Sequence, residues 1–181
     1  MQTLAPGLLV AMPQLTDSNF RRSVILMLEH SEGGSMGLII NRGASLTLGE
    51  LAKNQSLTIA PERVNQPVFM GGPVENHRGF VLHDVENVEE KHEVVPGLFL
   101  SLTLDTLGPL LKDPSAHVRF CLGYAGWGAQ QLENEISSGS WLYAEASARP
   151  VLEGDPGMLW ENTLKSMGVD PVMLLKGKGL N

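Results

Sequence analysis

Short apolar runs separated by glycine, proline and polar residues make up the first third of the chain. Residues 7–12 form one such run, closed by Pro13, and predict a buried first strand. Residues 23–30 and 37–42 are two further β-rich runs, and the loop of residues 31–36 between them contains glycine. This spacing predicts a β-hairpin.

The next segment predicts a short helix and then a second hairpin. Residues 46–53 include a threonine that can cap a helix and apolar residues at helical spacing. Strands are predicted at 66–70 and 79–83. The glycine-containing residues 71–78 join these strands, so the sequence predicts that the two strands pair as a hairpin.

In the second half of the chain, helical and strand patterns alternate. The acidic stretch at residues 84–93 is expected to be a solvated connection. A helix at 127–136 is predicted because Ala129, Leu132 and Ile136 share one helical face. The other predicted elements are a strand at 97–102, a helix at 104–112, strands at 117–123 and 141–146, and a helix at 156–167.

Length and composition limit the class of protein. A chain of 181 residues fits one domain, and 43% hydrophobic against 18% charged residues is typical of a globular core. The longest apolar runs are far too short to span a bilayer. Because the single cysteine, Cys121, cannot form an intrachain disulfide, the cytoplasm is the expected compartment. The tail at about residues 176–181 is expected to be mobile.

The charge balance disfavours direct DNA binding. Thirteen basic and twenty acidic residues give a net charge of −7. A polyanion would be repelled unless the basic residues gathered on one face, and no such gathering is visible in the sequence.

A glycine-rich segment lies where the sequence predicts a strand-to-helix junction. It contains Gly123, Gly126, Trp127 and Gly128. Free backbone N–H groups and the positive end of a helix could hold an anion there. The favoured alternative is structural. In it, the glycines let the helix pack closely on the sheet while the tryptophan fills the core.

A second polar position is predicted at the base of the first hairpin. Asn41 and Arg42 end an otherwise apolar strand opposite the start of the strand at Ser23. Such polar groups can line a cleft, although pairing of the arginine with a surface carboxylate is an equal alternative. The shared candidate cleft, for an anion or a small polar molecule, consists of Asn41, Arg42, Gly71, Gly72, Pro73, Gly123, Gly126, Trp127 and Gly128.

Residues that would carry catalysis or bind metal give weak signals. Ser35 stands in a G-x-S-x-G pattern, but a strand follows it where a nucleophile elbow needs a helix. Among the histidines only His77 and His83 are close, and no carboxylate or cysteine joins them at ligand spacing. Cys121 lies in an apolar strand and is expected to be a buried, inert thiol. We therefore assign no catalytic residue, metal or cofactor from the sequence.

The order and spacing of several segments resemble the bacterial YqgE/AlgH family. The resemblance covers nearly the whole chain and is carried by residues 8–13, 23–30, 36–42, 71–74, 80–83, 123–128 and 131–136. It implies a cytosolic bacterial protein with a mixed sheet and no established enzyme mechanism, and some relatives have been described as regulators of gene expression, including alginate production. With the predicted elements, the fold class is α/β (α+β): a single compact domain, residues 1–181, with a mixed, largely antiparallel sheet flanked by helices.

Two classes of function remain open. One is a regulatory or binding module that acts through a protein partner or a small ligand, with any effect on gene expression being indirect. The other is an enzyme that acts on a small anionic or polar substrate at the glycine-lined cleft. The sequence favours the first class because it shows no nucleophile with a base and no paired carboxylates at suggestive spacing.

Overall fold

The strand formed by residues 118–128 lies inside the sheet and organises the whole fold. The structure is a computed structural model that describes residues 2–176. Its strands are β1 Gly7–Ala11, β2 Val24–Ser31, β3 Gly34–Ile39, β4 Gly43–Thr47, β5 Pro67–Met70, β6 Val74–His83, β7 His92–Val95, β8 Leu98–Ser101, β9 Val118–Gly128 and β10 Trp141–Ala144. Its helices are α1 Leu48–Asn54, α2 Leu104–Lys112, α3 Gln131–Ser137, α4 Ala148–Glu153, α5 Pro156–Ser166 and α6 Pro171–Lys176, with a 3-10 helix at Pro61–Arg63.

The sheet is curled, and its main strand order is β10-β1-β2-β3-β9-β6-β8-β7. Within residues 2–176, every strand pairing is antiparallel except the short contact of β5 with β9, where Phe69 and Met70 lie opposite Cys121 and Leu122. The single α+β domain with a mixed, largely antiparallel sheet is therefore confirmed. Helices pack on both faces of this sheet.

One face of the sheet, which we call the inner face, carries a continuous core. Leu8 and Val10 of β1, Phe80 of β6 and Leu98 of β8 belong to the same buried cluster. Helices α4 and α5 contribute Leu152, Trp160 and further apolar side chains to it. On the opposite face, α1 and α2 cover one half of the sheet and α3 covers the other half.

Several local predictions are confirmed. The first strand is fully buried, and β2 and β3 pair antiparallel as a hairpin. Helix α1 begins after Thr47, whose side chain and that of Glu50 form a reciprocal capping box. Helices α2 and α5 match their predictions to within a residue, whereas β4, β7, α4 and α6 were not predicted.

The predicted pairing of residues 66–70 with 79–83 is wrong. Both strands form, but β9 lies between them: Cys121 faces Phe69 of β5 on one edge and Phe80 of β6 on the other. The connection between β5 and β6 therefore passes over β9 instead of forming a tight turn. Local sequence cannot distinguish these arrangements, because the inserted strand lies about 40 residues downstream.

The predicted helix at 127–136 is wrong over its first residues. β9 continues to Gly128 because residues 125–128 pair with β3. Ala125 and Trp127 are buried on one face, while Gly126 and Gly128 lie on the other, so the segment alternates as a strand does. The helix begins only at Gln131, after Gln130 adopts a left-handed conformation with φ 65°. The tail at 176–181 lies outside the described residues apart from Lys176, which ends α6.

Candidate functional site

Glycines of the predicted turn at residues 71–73 and of the predicted strand-to-helix junction at residues 123–128 come together where the β5–β6 connection crosses β9. A Cβ atom at Gly71 would overlap the carbonyl oxygen of Gly123, and a Cβ atom at Gly72 would overlap the backbone of Tyr124. Gly123 has φ 75°, a conformation that favours glycine. The structure thus brings Gly71, Gly72 and Gly123 into direct backbone contact, and this packing requires glycine at these positions whether or not a ligand binds.

Residues 123–128 do not form a helix N-terminus. They belong to strand β9, so the anion-binding geometry expected from a strand-to-helix junction is absent from this segment. Gly126 and Trp127 instead line an open groove with Gly33 and Gly34 of the first hairpin. The indole Nε1 of Trp127 donates to Oε2 of Glu135 at 2.7 Å, which fastens α3 to the sheet.

Asn41 connects the base of the first hairpin to the preceding loop. Its Oδ1 accepts from the backbone N–H of Val24 at 2.9 Å, and its Nδ2 donates to the carbonyl oxygen of Arg22 at 2.9 Å. Both ends of the amide are therefore paired with backbone. As predicted, the residue lies opposite the start of β2.

Arg42 fixes the loop at residues 18–21. One guanidinium nitrogen donates to the carbonyl oxygens of Ser18 and Asn19, and the other donates to that of Arg21 at 2.7 Å. Burial lowers the pKa of the Arg42 guanidinium, and the neighbouring charge of Arg21 lowers it further. The expected alternative of a surface ion pair does not describe these contacts, because Arg42 binds backbone carbonyl groups.

These residues line a cavity of about 360 Å³ between the loop and the start of α5. Three arginines lie in its wall, namely Arg21, Arg22 and Arg42. The guanidinium carbon of Arg22 lies 5.2 Å from the centre of the Trp160 ring, a cation–π distance. Glu161 and Ser18 add polar groups. We call this the arginine cavity.

The arginine cavity contains only part of the predicted cleft. Asn41 and Arg42 line it, whereas Gly126 and Trp127 line the groove at the first hairpin. Sequence reasoning missed Arg21, Arg22 and Trp160. The adjacent Arg21-Arg22 pair just before an apolar strand was the available signal, but nothing in the sequence indicates that Trp160, far along the chain, packs against it.

The residues considered for catalysis or metal binding lie in strands of the sheet. Cys121 is fully buried, and burial raises the pKa of its thiol to about 12. Ser35 lies within strand β3. His83 is buried, and its Nε2 lies 2.8 Å from Oγ of Ser101. Among the described residues, no three His, Cys, Asp or Glu side chains are grouped so as to hold a metal ion.

The fold and the cavity define a class: a single α+β domain with a curled sheet, whose inner face is closed at one end by helices beside an arginine cavity. The AlgH-like family model (DUF179) matches residues 8–172. The chain belongs to this family, and the resemblance seen in the sequence is confirmed. Within residues 2–176, no helix is long and apolar enough to cross a membrane.

Individual relatives extend this similarity over the full length. A UPF0301 protein of Myxococcus xanthus is 65% identical over 181 residues, which is 100% of both chains. A UPF0301 protein of Xanthomonas campestris is 39% identical over 92% of this chain and 90% of its own. The solution structure of the AlgH protein from Pseudomonas aeruginosa is 31% identical and has a TM-score of 0.73, with 97% of each chain covered. A crystal structure from Corynebacterium diphtheriae, 20% identical with a TM-score of 0.74 over 96% of this chain and 92% of its own, shares the fold.

Proposed function

We propose that the protein is a cytoplasmic regulatory module that binds a small anion in the arginine cavity. Binding of the anion changes its interaction with a protein partner. The observation that carries the proposal is the convergence of Arg21, Arg22 and Arg42 on one cavity in a chain of net charge −7. Guanidinium groups are the usual partners of phosphate and carboxylate groups.

The three arginines have different roles in this proposal. Arg42 uses its guanidinium to hold the carbonyl groups of the loop, so it positions the cavity wall. Arg22 is oriented by Trp160, and Arg21 stands close enough to lower the pKa of Arg42. An anion placed among these groups would relieve the repulsion between like charges, which is a direct source of binding free energy.

The other lining residues favour binding over catalysis. Among the residues that the structure describes, the wall contains no histidine or cysteine, and no described hydrogen bond joins the Ser18 hydroxyl to a base. Glu161 is the lining carboxylate and would repel a second negative charge. We therefore expect a ligand that carries one phosphate or carboxylate group together with hydroxyl groups. These hydroxyl groups can donate hydrogen bonds to the Glu161 carboxylate.

The ligand class is tested by isothermal titration calorimetry with inorganic phosphate, ribose 5-phosphate, AMP and citrate. We expect saturable binding of at least one phosphorylated compound. The double variant Arg21→Ala/Arg22→Ala should weaken it at least tenfold, since two guanidinium contacts are removed. The matched control is Lys112→Ala/Arg149→Ala, which removes the same charge from exposed positions. Equal affinity in both double variants, or no binding by the unmodified chain, would refute the proposed site.

The regulatory part is tested separately with the immobilised protein in bacterial lysate. A partner whose capture changes when the identified anion is added, and which no longer responds in the Arg21→Ala/Arg22→Ala variant, supports a ligand-dependent module. Conversion of the anion into a product would instead support an enzyme.

A further inference from the structure

A second cavity, of about 420 Å³, opens on the inner face of the sheet at the end away from α5. Trp160 of α5 donates to the carbonyl oxygen of Ala11, the last residue of β1. The second cavity lies beside Ala5 and Pro6, just before the first residue of the same strand. Helices α4 and α5 thus close one end of the inner face, and the other end remains open. We call this opening the mouth cavity.

The floor of the mouth cavity is apolar. Leu28 of β2, Met36 of β3, Phe80 of β6 and Leu100 of β8 line it, and each belongs to or packs against the buried inner cluster. Strands on both sides of β9 in the curled sheet therefore contribute to one concave surface. Small-molecule sites typically enclose about 300–1,000 Å³ with an apolar lining and a few polar groups, and the mouth cavity has this size and composition.

The rim of the mouth cavity carries charges of both signs. Arg78, His92, Glu29 and Glu93 line it together with the apolar floor. The Arg78 guanidinium stands 5.1 Å above the Phe80 ring and pairs with Glu75 at 3.4 Å. Because that ion pair is half exposed, it contributes little stability, and the guanidinium is free to exchange Glu75 for a ligand carboxylate.

A β-bulge directs Glu29 into the mouth cavity. Met27 faces Gly37, but Glu29, rather than Leu28, faces Met36. In a regular ladder Glu29 would face Ser35, and its side chain would point to the opposite face of the sheet. The extra residue thus places a carboxylate on the inner face next to Met36. Bulges commonly re-aim a side chain in this way at functional sites.

We propose that the mouth cavity binds a free amino acid with a large apolar side chain. Its carboxylate pairs with Arg78, its ammonium group pairs with Glu29 and Glu93, and its side chain lies on the apolar floor. An uncharged apolar ligand would cover the rim charges without pairing with them, and a dianion would face the carboxylates of Glu29 and Glu93. A zwitterionic amino acid pairs with both the positive and the negative rim charges, and its apolar side chain packs on the apolar floor. This site is independent of the arginine cavity.

Calorimetric titration with L-phenylalanine, L-leucine and L-tryptophan tests the proposal. We expect at least one to bind with a Kd below roughly 1 mM. 3-Phenylpropionate lacks the ammonium group and phenethylamine lacks the carboxylate, so each should bind at least tenfold more weakly than L-phenylalanine. Phenylalaninamide represents the first residue of a peptide, and comparable binding of this compound would assign the site to a peptide N-terminus and overturn the assignment to a free amino acid.

Two single variants and two controls locate the site. Arg78→Gln and Glu29→Gln should each weaken binding at least tenfold, whereas Arg149→Gln and Glu32→Gln, at exposed positions away from the cavity, should not change it. The Arg21→Ala/Arg22→Ala variant should also bind normally, which separates this test from that of the anion site. Circular dichroism shows whether each variant folds. If either Arg78→Gln or Glu29→Gln does not fold, the other variant still tests the site. Absence of amino-acid binding by the unmodified chain, or unchanged affinity in a folded Arg78→Gln or Glu29→Gln variant, would overturn the proposal.

Discussion

The backbone of Gly72 rests directly on the backbone of Tyr124. This contact marks the point where the chain leaves β5, passes over β9 and enters β6. The backbone N–H of Gly71 donates to the carbonyl oxygen of Leu122 at 2.8 Å. The carbonyl oxygen of Gly71 accepts from the backbone N–H of Ile39 at 2.8 Å. The crossing therefore joins three strands by hydrogen bonds in which no side chain takes part.

Gly72→Ala should destabilise the protein by roughly 3 kcal/mol, since its Cβ atom would overlap main-chain atoms that cannot move without breaking the sheet. Urea unfolding followed by circular dichroism measures the change. Gly43→Ala is the control, because a Cβ atom there meets nothing within 4 Å. We expect that control to stay within about 0.5 kcal/mol of the unmodified chain. Similar losses in the two variants would show that the crossing tolerates a side chain.

The comparison of hairpin β2–β3 with strands β5 and β6 shows what the sequence could reveal. The first pair is a local hairpin, so apolar runs and a glycine turn were sufficient to predict it. The second pair has equally clear strand patterns, but its arrangement depends on β9, which follows much later. The glycine pair predicts a turn at Gly71 and Gly72, whereas in the structure these glycines permit a crossing. Pairing between distant strands leaves no local signature.

The candidate site was predictable in the same partial way. Asn41 and Arg42 could be placed at the base of the hairpin because register fixes what lies opposite Ser23. Their partners in the arginine cavity come from a loop and from α5, which only tertiary packing brings together. The glycines at 126 and 128 weakened the strand pattern of β9 and moved the predicted start of the helix too early.

Arg42→Lys should loosen the loop at residues 18–21. A lysine has one nitrogen in place of the planar fork that reaches three carbonyl groups, so we expect a loss of about 1–2 kcal/mol in the free energy of unfolding. Limited digestion with trypsin should then cut faster after Arg21 and Arg22, as mapped by mass spectrometry. Arg149→Lys, with a side chain that is 87% exposed, is the matched control. A cleavage rate equal to that of the unmodified chain would mean that the loop does not depend on Arg42.

The buried His83 should make stability depend on pH. Its Nδ1 accepts from the amide of Val85 at 3.2 Å, so Nε2 carries the proton and donates to Ser101 at 2.8 Å. Burial lowers the pKa of His83 below its ordinary value of 6.5, and the charges of Asp84 and Glu90 offset this only in part. The unfolded chain therefore takes up a proton that the folded chain excludes. Stability falls as the pH drops through about 6.5 and stops falling below the folded pKa.

Urea unfolding between about pH 7.5 and pH 5.5 measures this effect. His83→Gln keeps a donor toward Ser101 and cannot titrate, so its stability should decline less over this range than that of the unmodified chain. His77→Gln, at an exposed position on the same strand, should retain the full decline. An unchanged pH dependence in His83→Gln would show that His83 does not cause the decline.

The last prediction is that the protein has no salt-sensitive affinity for duplex DNA. Its acidic helix α3 cannot serve as a reading helix, because Glu135 accepts from the indoles of Trp127 and Trp141 and Glu133 pairs with His30. Those carboxylates hold α3 against the sheet. The arginine cavity is a concave site that also contains Glu161, whereas phosphate contacts along a duplex need a basic face.

Fluorescence anisotropy with mixed-sequence and promoter duplexes, at low and at physiological salt, tests this prediction. We expect no binding tighter than about 1 μM at physiological salt. If binding does occur, the Arg21→Ala/Arg22→Ala variant shows whether it uses the arginine cavity. Loss of affinity in that variant, with a steep salt dependence in the unmodified chain, would mean that the three arginines contact a polyanion and that regulation is direct. Weak or absent binding in both is the outcome expected of a module whose signal is a small anion and whose partner is a protein.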